Sequence, residues 1–273
     1  MLDHLPPYNR YIIIFLLGGT LGMLDMICFG FCEEKYNAPP SKTKFSGILK
    51  EIRRNKPFFR LMVMWTAWCF ASNLCAPYLG RYSVNEMRLT FMQMTIFGTV
   101  AASIATVLSM PRWGRALNQY GSRSVMLVST TATALTDLFY LFAVPGIWWP
   151  VLLRNLFGAL CWSGCNLSAN SMQLSTSPDD TRPSYIAVYA CVTSLLGGTL
   201  GTMTGGALLD SWESAAVFTG AGWLDRYKVL IIISATLRML VAQLLVRRME
   251  NDRDGTPKQM LNAMLHPLRR RRA

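Results

Sequence analysis

Residues 89–144 read LTFMQMTIFGTVAASIATVLSM (89–110), PRWGRALNQYGSR (111–123) and SVMLVSTTATALTDLFYLFAV (124–144). Two apolar stretches of 22 and 21 residues therefore flank a short basic connection. An apolar helix of about 20 residues crosses the roughly 30 Å hydrocarbon core of a bilayer. The pattern predicts two transmembrane helices joined by a short loop.

The rest of the chain repeats this pattern. Apolar residues make up 52% of the 273 positions and charged residues only 15%, whereas buried helices of a soluble protein would need polar faces between them. The first apolar stretch lacks the basic start and the cleavage site of a signal peptide. We predict an all-α integral membrane protein with seven transmembrane helices. The other five stretches are 11–31, 58–79, 146–174, 185–207 and 227–246.

The formal net charge of +12 first suggests a nucleic-acid partner, but the positions of the charges favour another explanation. Of the 27 Lys and Arg residues, 19 fall on one side of the predicted membrane, 5 on the other and 3 within spans. By the positive-inside rule, the N-terminus is predicted outside the cell membrane and the C-terminus in the cytoplasm. The basic excess therefore reflects membrane topology. It favours contact with membrane lipid, and we predict no nucleic-acid partner.

An odd count of seven cysteines also excludes a fully paired disulfide scaffold.

Four segments follow from these patterns: a first helix (1–32), a basic cytoplasmic linker (33–57), a six-helix unit (58–246) and a basic tail (247–273). Two short stretches outside the spans have apolar residues at helical spacing among Lys and Arg, which predicts amphipathic helices on the membrane surface. They are Phe45, Ile48, Leu49 and Ile52 in the linker and, more weakly, Met260, Leu261, Met264 and Leu265 in the tail.

The connection 111–123 resembles the short cytoplasmic loop of the major facilitator superfamily. That motif has a Gly, an Asp four residues later, a basic residue, then Gly and basic residues. Gly114, Gly121 and Arg123 fall in register, whereas Asn118 replaces the Asp. Gly121 permits a tight turn, and Arg115 and Arg123 are suited to bind carbonyls at helix C-termini.

A second feature supports the resemblance. The loop 177–183 is followed by a Gly-rich span in which Gly197, Gly201 and Gly205 form a small-residue ridge for close helix packing or for rocking motion. The family has twelve spans, split six plus six by a basic cytoplasmic loop. The chain looks like its sixth to twelfth helices, so its C-terminal six-helix bundle is expected with one preceding helix. The resemblance implies a fragment, a truncated product, or a half that needs the missing N-terminal half or a partner chain.

Polar residues at membrane depth are the candidates for solute binding, because each costs free energy there. On the fifth span Asn155, Trp162, Asn166 and Gln173 lie within about 20° of one another, and Asn170 about 60° away. The resemblance implies that this span lines a central cavity for a small polar solute such as a sugar. Interhelical hydrogen bonding is the alternative. Candidates on the second span are Trp65, Trp68 and Asn73.

Charged residues within spans are further candidates. Asp137 and Arg238 differ in depth by about 6 Å, which predicts a structural ion pair, with proton coupling through Asp137 as the alternative. Arg154 either reaches the interface or meets an anionic solute. Asp25 has no evident partner in the sequence.

Secondary transport of a small solute, with or without a coupling proton or sodium ion, is the leading functional prediction. A seven-helix receptor or sensor is the alternative. It would need a Lys midway along the last span to link its ligand, and Arg238 occupies that position. A membrane enzyme would need clustered His or carboxylates at one interface, and the sequence has no such cluster, so we predict no enzymatic activity. A non-transporting fragment with an interaction role is a further alternative. No motif for a metal, a nucleotide or another cofactor is evident.

Overall fold

The computed structural model describes residues 7–31, 45–214, 225–249, 256–257 and 259–260, and every regular element in these ranges is helical. Most of the predicted linker before Phe45 and most of the tail after Met249 lie outside the described residues. The described part contains eleven α-helices. They are α1 (Pro7–Gly30), α2 (Phe45–Arg54), α3 (Lys56–Asn73), α4 (Ala76–Asn85), α5 (Phe91–Thr95), α6 (Ala101–Tyr120), α7 (Ser122–Thr136), α8 (Trp149–Thr176), α9 (Arg182–Val192), α10 (Leu200–Ser214) and α11 (Arg226–Leu244).

The chain divides into two compact units, Met1–Lys42 and Thr43–Ala273. The first unit contains α1, whose apolar side chains are largely exposed, including Phe15 (77%) and Met26 (75%). Such a surface is suited to lipid. The second unit contains all the other helices.

Within the part of the chain that the structure describes, four helical stretches are long and apolar enough to cross a membrane. They are Phe91–Tyr120, Ser122–Phe142, Arg182–Glu213 and Arg226–Arg248. The other three predicted spans are also helical, as α1, α3–α4 and α8. The 28 residues of α8 have the required length, but the helix carries Arg154 and several amides that lower its hydropathy.

The predicted continuous second span, 58–79, is wrong in one respect, because the helix is interrupted at residues 74–75. Pro77 lies in the first turn of α4. Because proline has no N–H, it cannot donate the helical hydrogen bond to the carbonyl of residue 73, and its ring would clash with that carbonyl in a continuous helix. Asn73 at the end of α3 donates from Nδ2 to the carbonyl of Cys69 (2.9 Å).

The predicted loop 111–123 is also wrong in extent. Helix α6 continues through Pro111 to Tyr120, and Gly121 alone separates it from α7. Trp113 and Ala116 are buried there, and Trp113 donates from Nε1 to the carbonyl of Leu160 on α8 (2.7 Å). This packing outweighs the hydrogen bond that Pro111 cannot make.

Two long helices contain π-helical segments, Ile96–Val100 between α5 and α6 and Thr193–Thr199 between α9 and α10. A π-bulge adds a residue to one turn and re-aims the side chains around it. The first segment places Gly98 beside the Nδ2 atom of Asn155 (3.7 Å from an ideal Cβ).

A ridge of glycines runs from the second π-helical segment into α10 and lies against the backbone of α3 and of Leu74, which follows it. Ideal Cβ atoms at Gly197, Gly201 and Gly205 would approach the carbonyl oxygens of Thr66, Phe70 and Leu74 to 2.8, 2.6 and 2.0 Å, respectively. Only glycine allows the two backbones to come this close.

The amphipathic helix α2 packs on the helical bundle, rather than presenting its whole apolar stripe to lipid as predicted. Ile48 and Ile52 are buried with Phe58 and Tyr185, whereas Leu49 is 38% exposed. The hydroxyl of Tyr185 donates to Oε1 of Glu51 (3.1 Å). Burial of two isoleucines gives the helix a protein partner, because apolar area removed from water is stabilising in proportion to its extent.

Candidate functional site

A pocket of about 410 Å³ lies between α3, α7, α8, α11 and the π-helical segment before α6. Its lining combines indoles, amides, hydroxyls and three charged groups. The predicted residues in it are Trp68, Asn73, Asp137, Arg154, Asn155, Trp162 and Arg238. Ser72 also lines the pocket, as do Gly98, Thr133 and Thr136, and these last three were not among the predicted site residues.

Asp137 is the centre of the charged part of the pocket. It lies where α7 gives way to the 3₁₀ turn Asp137–Phe142, and it is 2% exposed. Its Oδ1 accepts from Nε of Arg154 at 2.7 Å, and its Oδ2 accepts from Nη2 of Arg238. Both oxygens of this buried carboxylate are therefore hydrogen-bonded to guanidinium groups, which compensates its removal from water.

The sequence placed Asp137 and Arg238 at similar depths, and the structure brings them together. The sequence analysis did not predict that Arg154 binds the same carboxylate. The signal was available, because Asp137 stands nine residues before Gly146 and Arg154 eight residues after it. Gly146 has a positive φ of 84° in the turn between the helices, so this hairpin places the two side chains at the same level.

Three tryptophans form an aromatic cluster, and two of them, Trp68 and Trp162, line the pocket. The ring of Trp68 stacks on Trp65 with centroids 5.7 Å apart and lies 5.3 Å from Trp162. Trp65 and Trp162 stack at 6.1 Å, although Trp65 itself is not part of the pocket lining. The guanidinium of Arg238 lies 5.9 Å from the Trp68 ring centroid, a cation–π distance.

Two polar atoms of the pocket wall are buried without a hydrogen-bond partner among the described residues. They are Nε1 of Trp68 and Oγ of Ser72, one helical turn apart on α3. Buried polar groups in proteins are nearly always paired, so two neighbouring exceptions mark a surface that a ligand can satisfy. No other pocket-lining side chain has such an atom in the described ranges.

The sequence profile of the Major Facilitator Superfamily matches residues 95–260, more than half of the chain. The chain belongs to the major facilitator superfamily. The matched region contains α8, α11 and the Asp137 network, so much of the pocket is built from family sequence.

The chain is also similar to a protein of Lactococcus lactis subsp. lactis (strain IL1403) described as "Multi-drug resistance efflux pump PmrA homolog". The two are 28% identical over 180 residues, which cover 63% of this chain and 43% of that protein. The chain therefore spans less than half the length of this curated relative. No solved structure gives a significant match.

The remaining amides of α8 lie beyond the pocket. Asn166 is half-buried, Asn170 is exposed and Gln173 is buried, and none of them lines the pocket. The predicted stripe therefore divides, with Asn155 and Trp162 at the pocket and the other three toward the C-terminal end of α8.

The residues of the loop motif cluster where α6 turns into α7. Gly121 has φ 81°, and Arg123 donates from Nη2 to the carbonyl of Arg247 after α11, a helix C-terminus as expected. Arg115 instead donates to the carbonyl of Pro111 within its own helix (3.3 Å). Asn118 is exposed, and Gly114 has open space around it.

Asp25 belongs to the first unit, where it is exposed on α1. Among the described residues, no group of three or more His, Cys, Asp or Glu side chains is placed to hold a metal ion.

Proposed function

We propose that this chain is part of a secondary transporter that moves a small solute by alternating access, with the pocket around Asp137, Arg154 and Trp162 as its solute site. The pocket is the observation that carries the proposal. It gathers charged, amide and indole groups from four helical segments, α3, the 3₁₀ turn after α7, α8 and α11, in a family of membrane transporters. Polar groups in such helices are costly, and water-filled solute pathways are where they are retained.

The amides beyond the pocket extend the proposal. Asn166, Asn170 and Gln173 continue along α8 toward its C-terminal end. We propose that they line the pathway between the solute site and the cytoplasm. This assignment uses the predicted topology, in which the chain spans the plasma membrane with its N-terminus outside the cell and its C-terminus in the cytoplasm.

The site is proposed to be completed by a second set of helices, either a preceding half of the same protein or a partner chain. The chain aligns with 43% of its relative, and the resemblance assigns its helices to the second half of a twelve-helix transporter. Alternating access requires two bundles that rock around a shared site.

A coupling proton or sodium ion fits this function, and Asp137 is poorly placed to carry it. Both Asp137 oxygens already accept from Arg154 and Arg238. Binding of a proton or Na⁺ there would have to displace a guanidinium group. We propose a structural role for this network and place ion coupling elsewhere.

A narrower candidate is efflux of drug-like aromatic solutes. The relative's description names a multi-drug efflux pump, and the exposed ring of Trp162, stacked on Trp65, suits flat apolar rings. This candidate shares the pocket and differs in the direction and breadth of transport.

Transport assays in everted membrane vesicles test the proposal, with the chain expressed together with the preceding half or the partner chain. The probes are fluorescein, an anionic dye, and ethidium, a cationic dye. Trp162→Ala and Asn155→Ala are expected to lower the initial rate for a transported dye about tenfold, since each removes a pocket contact. The matched controls are Trp149→Ala at the start of α8 and Asn85→Ala at the exposed end of α4, both outside the pocket.

Two results would contradict the proposal. If the pocket variants transport as well as their controls at equal abundance, the pocket is not the solute site. If the purified chain, shown to be monomeric, gives saturable dye transport in proteoliposomes on its own, the second set of helices is unnecessary.

A further inference from the structure

We infer that the solute of this pocket is an organic anion with a flat aromatic ring, an aryl carboxylate or aryl sulfonate. The inference deepens the proposed transport function and rests on it, because it assigns a chemical class to the solute of the same site. Three independent features of the pocket wall carry it: its charge, its unpaired hydrogen-bond donors and its aromatic surface.

The charge of the pocket is positive. Among the described residues that line it, two guanidinium groups face one carboxylate, which leaves a formal charge of +1. Arg238 is deeply buried, with a side chain 3% exposed, and binds Asp137. A charge removed from water without a full counter-charge is unfavourable, so a bound anion would complete the compensation.

Arg154 is the guanidinium that a solute can reach. Its side chain is 27% exposed, and it donates from Nε to Asp137 and from Nη1 to Oδ1 of Asn155 (3.0 Å). No acceptor among the described residues binds its Nη2 atom. A guanidinium has five N–H donors in a planar fork that matches the oxygens of a carboxylate or a sulfonate.

The unpaired atoms on α3 also favour an acceptor-rich ligand. Trp68 is 1% exposed, and its buried Nε1 has no partner in the described ranges. An indole N–H can only donate, so it needs an acceptor oxygen, and the unpaired hydroxyl of Ser72, one turn away, can donate to the same ligand. An ammonium group would leave Trp68 unsatisfied and would be repelled by Arg154.

The aromatic surface accounts for the ring. Trp162 is 39% exposed, although it contacts both Trp65 and Trp68. Offset stacking on an indole is favourable for a flat ring and adds to the free energy of burying it. The pocket volume of about 410 Å³ is within the usual range for small-molecule sites.

Equilibrium dialysis of the purified full chain in detergent tests the inference with four probes: 2-naphthoate, the neutral 2-naphthylmethanol, the cationic 2-naphthylmethylammonium and the ring-saturated decahydro-2-naphthoate. We expect 2-naphthoate to bind about tenfold more tightly than each of the other three, because the alcohol and the ammonium lose the charge-assisted hydrogen bonds and the saturated probe loses the stacking. The comparison uses the unaltered chain, so it does not depend on a variant folding.

Variants then assign the effect to residues. Arg154→Gln should weaken 2-naphthoate binding about tenfold or more and leave 2-naphthylmethanol unchanged, whereas Arg154→Lys should retain much of the preference for the anion. Arg81→Gln, an exposed Arg outside the pocket, is the matched control and should bind as the unaltered chain does. Trp162→Ala should weaken all three naphthyl probes.

Two results would overturn the inference and are distinguishable. If the alcohol or the ammonium binds as tightly as 2-naphthoate, with equal loss in Trp162→Ala, the anionic class is wrong while the solute site stands. If no naphthyl probe depends on Trp162, the solute site and the inference fall together.

Discussion

Arg154 donates from Nε to Oδ1 of Asp137 over 2.7 Å, and this contact closes the hairpin between α7 and α8. Arg238 on α11 binds the other oxygen, so a single carboxylate joins three helices. A buried carboxylate of this kind is tolerated only because both of its oxygens are compensated. The network therefore serves the architecture and the pocket together.

Asp137→Asn tests the structural part of this network. The substitution keeps the shape but leaves the buried Arg238 without a counter-charge, and we expect the free energy of unfolding to fall by about 3–5 kcal/mol. The measurement is SDS-induced unfolding in mixed micelles, followed by tryptophan fluorescence. Asp180→Asn, at an exposed loop position, is the control. Equal stability of the two variants would contradict the assigned role, and Arg238→Met added to Asp137→Asn should recover part of the loss.

The helical architecture could be predicted because length and composition alone decide it. Long apolar stretches separated by basic segments leave few alternatives in a membrane. The connection between α6 and α7 could not be predicted in the same way, since Pro111 and the polar residues around it indicate a loop. The burial of Trp113 against α8 decides the outcome, and such tertiary packing has no local sequence signal.

The pocket was predictable in its chemistry and not in its extent. Polar residues at membrane depth identified Asn155, Trp162 and the charged groups. The polar stripe on α8 was expected to face one cavity. Asn170 is exposed, however, and only the N-terminal part of the stripe reaches the pocket. Neighbouring helices and the π-helical segment at Gly98 determine which turns of α8 are covered. The periodicity of α8 alone gives no information about the position of these neighbours.

Gly205→Ala should be strongly destabilising, whereas Gly198→Ala should not. An ideal Cβ at Gly205 would lie 2.0 Å from the carbonyl oxygen of Leu74, so α3 and α10 must separate, while a Cβ at Gly198 meets nothing within 4 Å. We expect a loss of at least about 2 kcal/mol for the first and a change within about 1 kcal/mol for the second. The SDS unfolding midpoints of the two variants measure the difference. Similar midpoints would show that the helices do not approach this closely.

Gly121→Ala and Gly114→Ala make a second matched pair, within the loop motif. Gly121 has φ 81° and ψ 162°, a conformation nearly confined to glycine, and the substitution should cost about 1–3 kcal/mol. Gly114 lies inside α6 with open space around it, so alanine there should stabilise the helix by up to about 1 kcal/mol. Unfolding of both variants under the same conditions gives the sign of each effect. A stabilising Gly121→Ala would exclude the single-residue turn.

Ile52→Ala tests whether α2 is held by protein or by lipid. Ile52 is fully buried beside Phe58 and Tyr185, so truncation should reduce stability by about 2–5 kcal/mol. Leu49, 38% exposed on the same helix, is the control, and Leu49→Ala should change stability by less than about 0.5 kcal/mol in detergent. Protease cleavage near residues 45–54 in membrane vesicles reports the release of α2 directly and should increase for Ile52→Ala alone. If Leu49→Ala releases the helix as readily, then lipid, rather than the bundle, holds α2 in place.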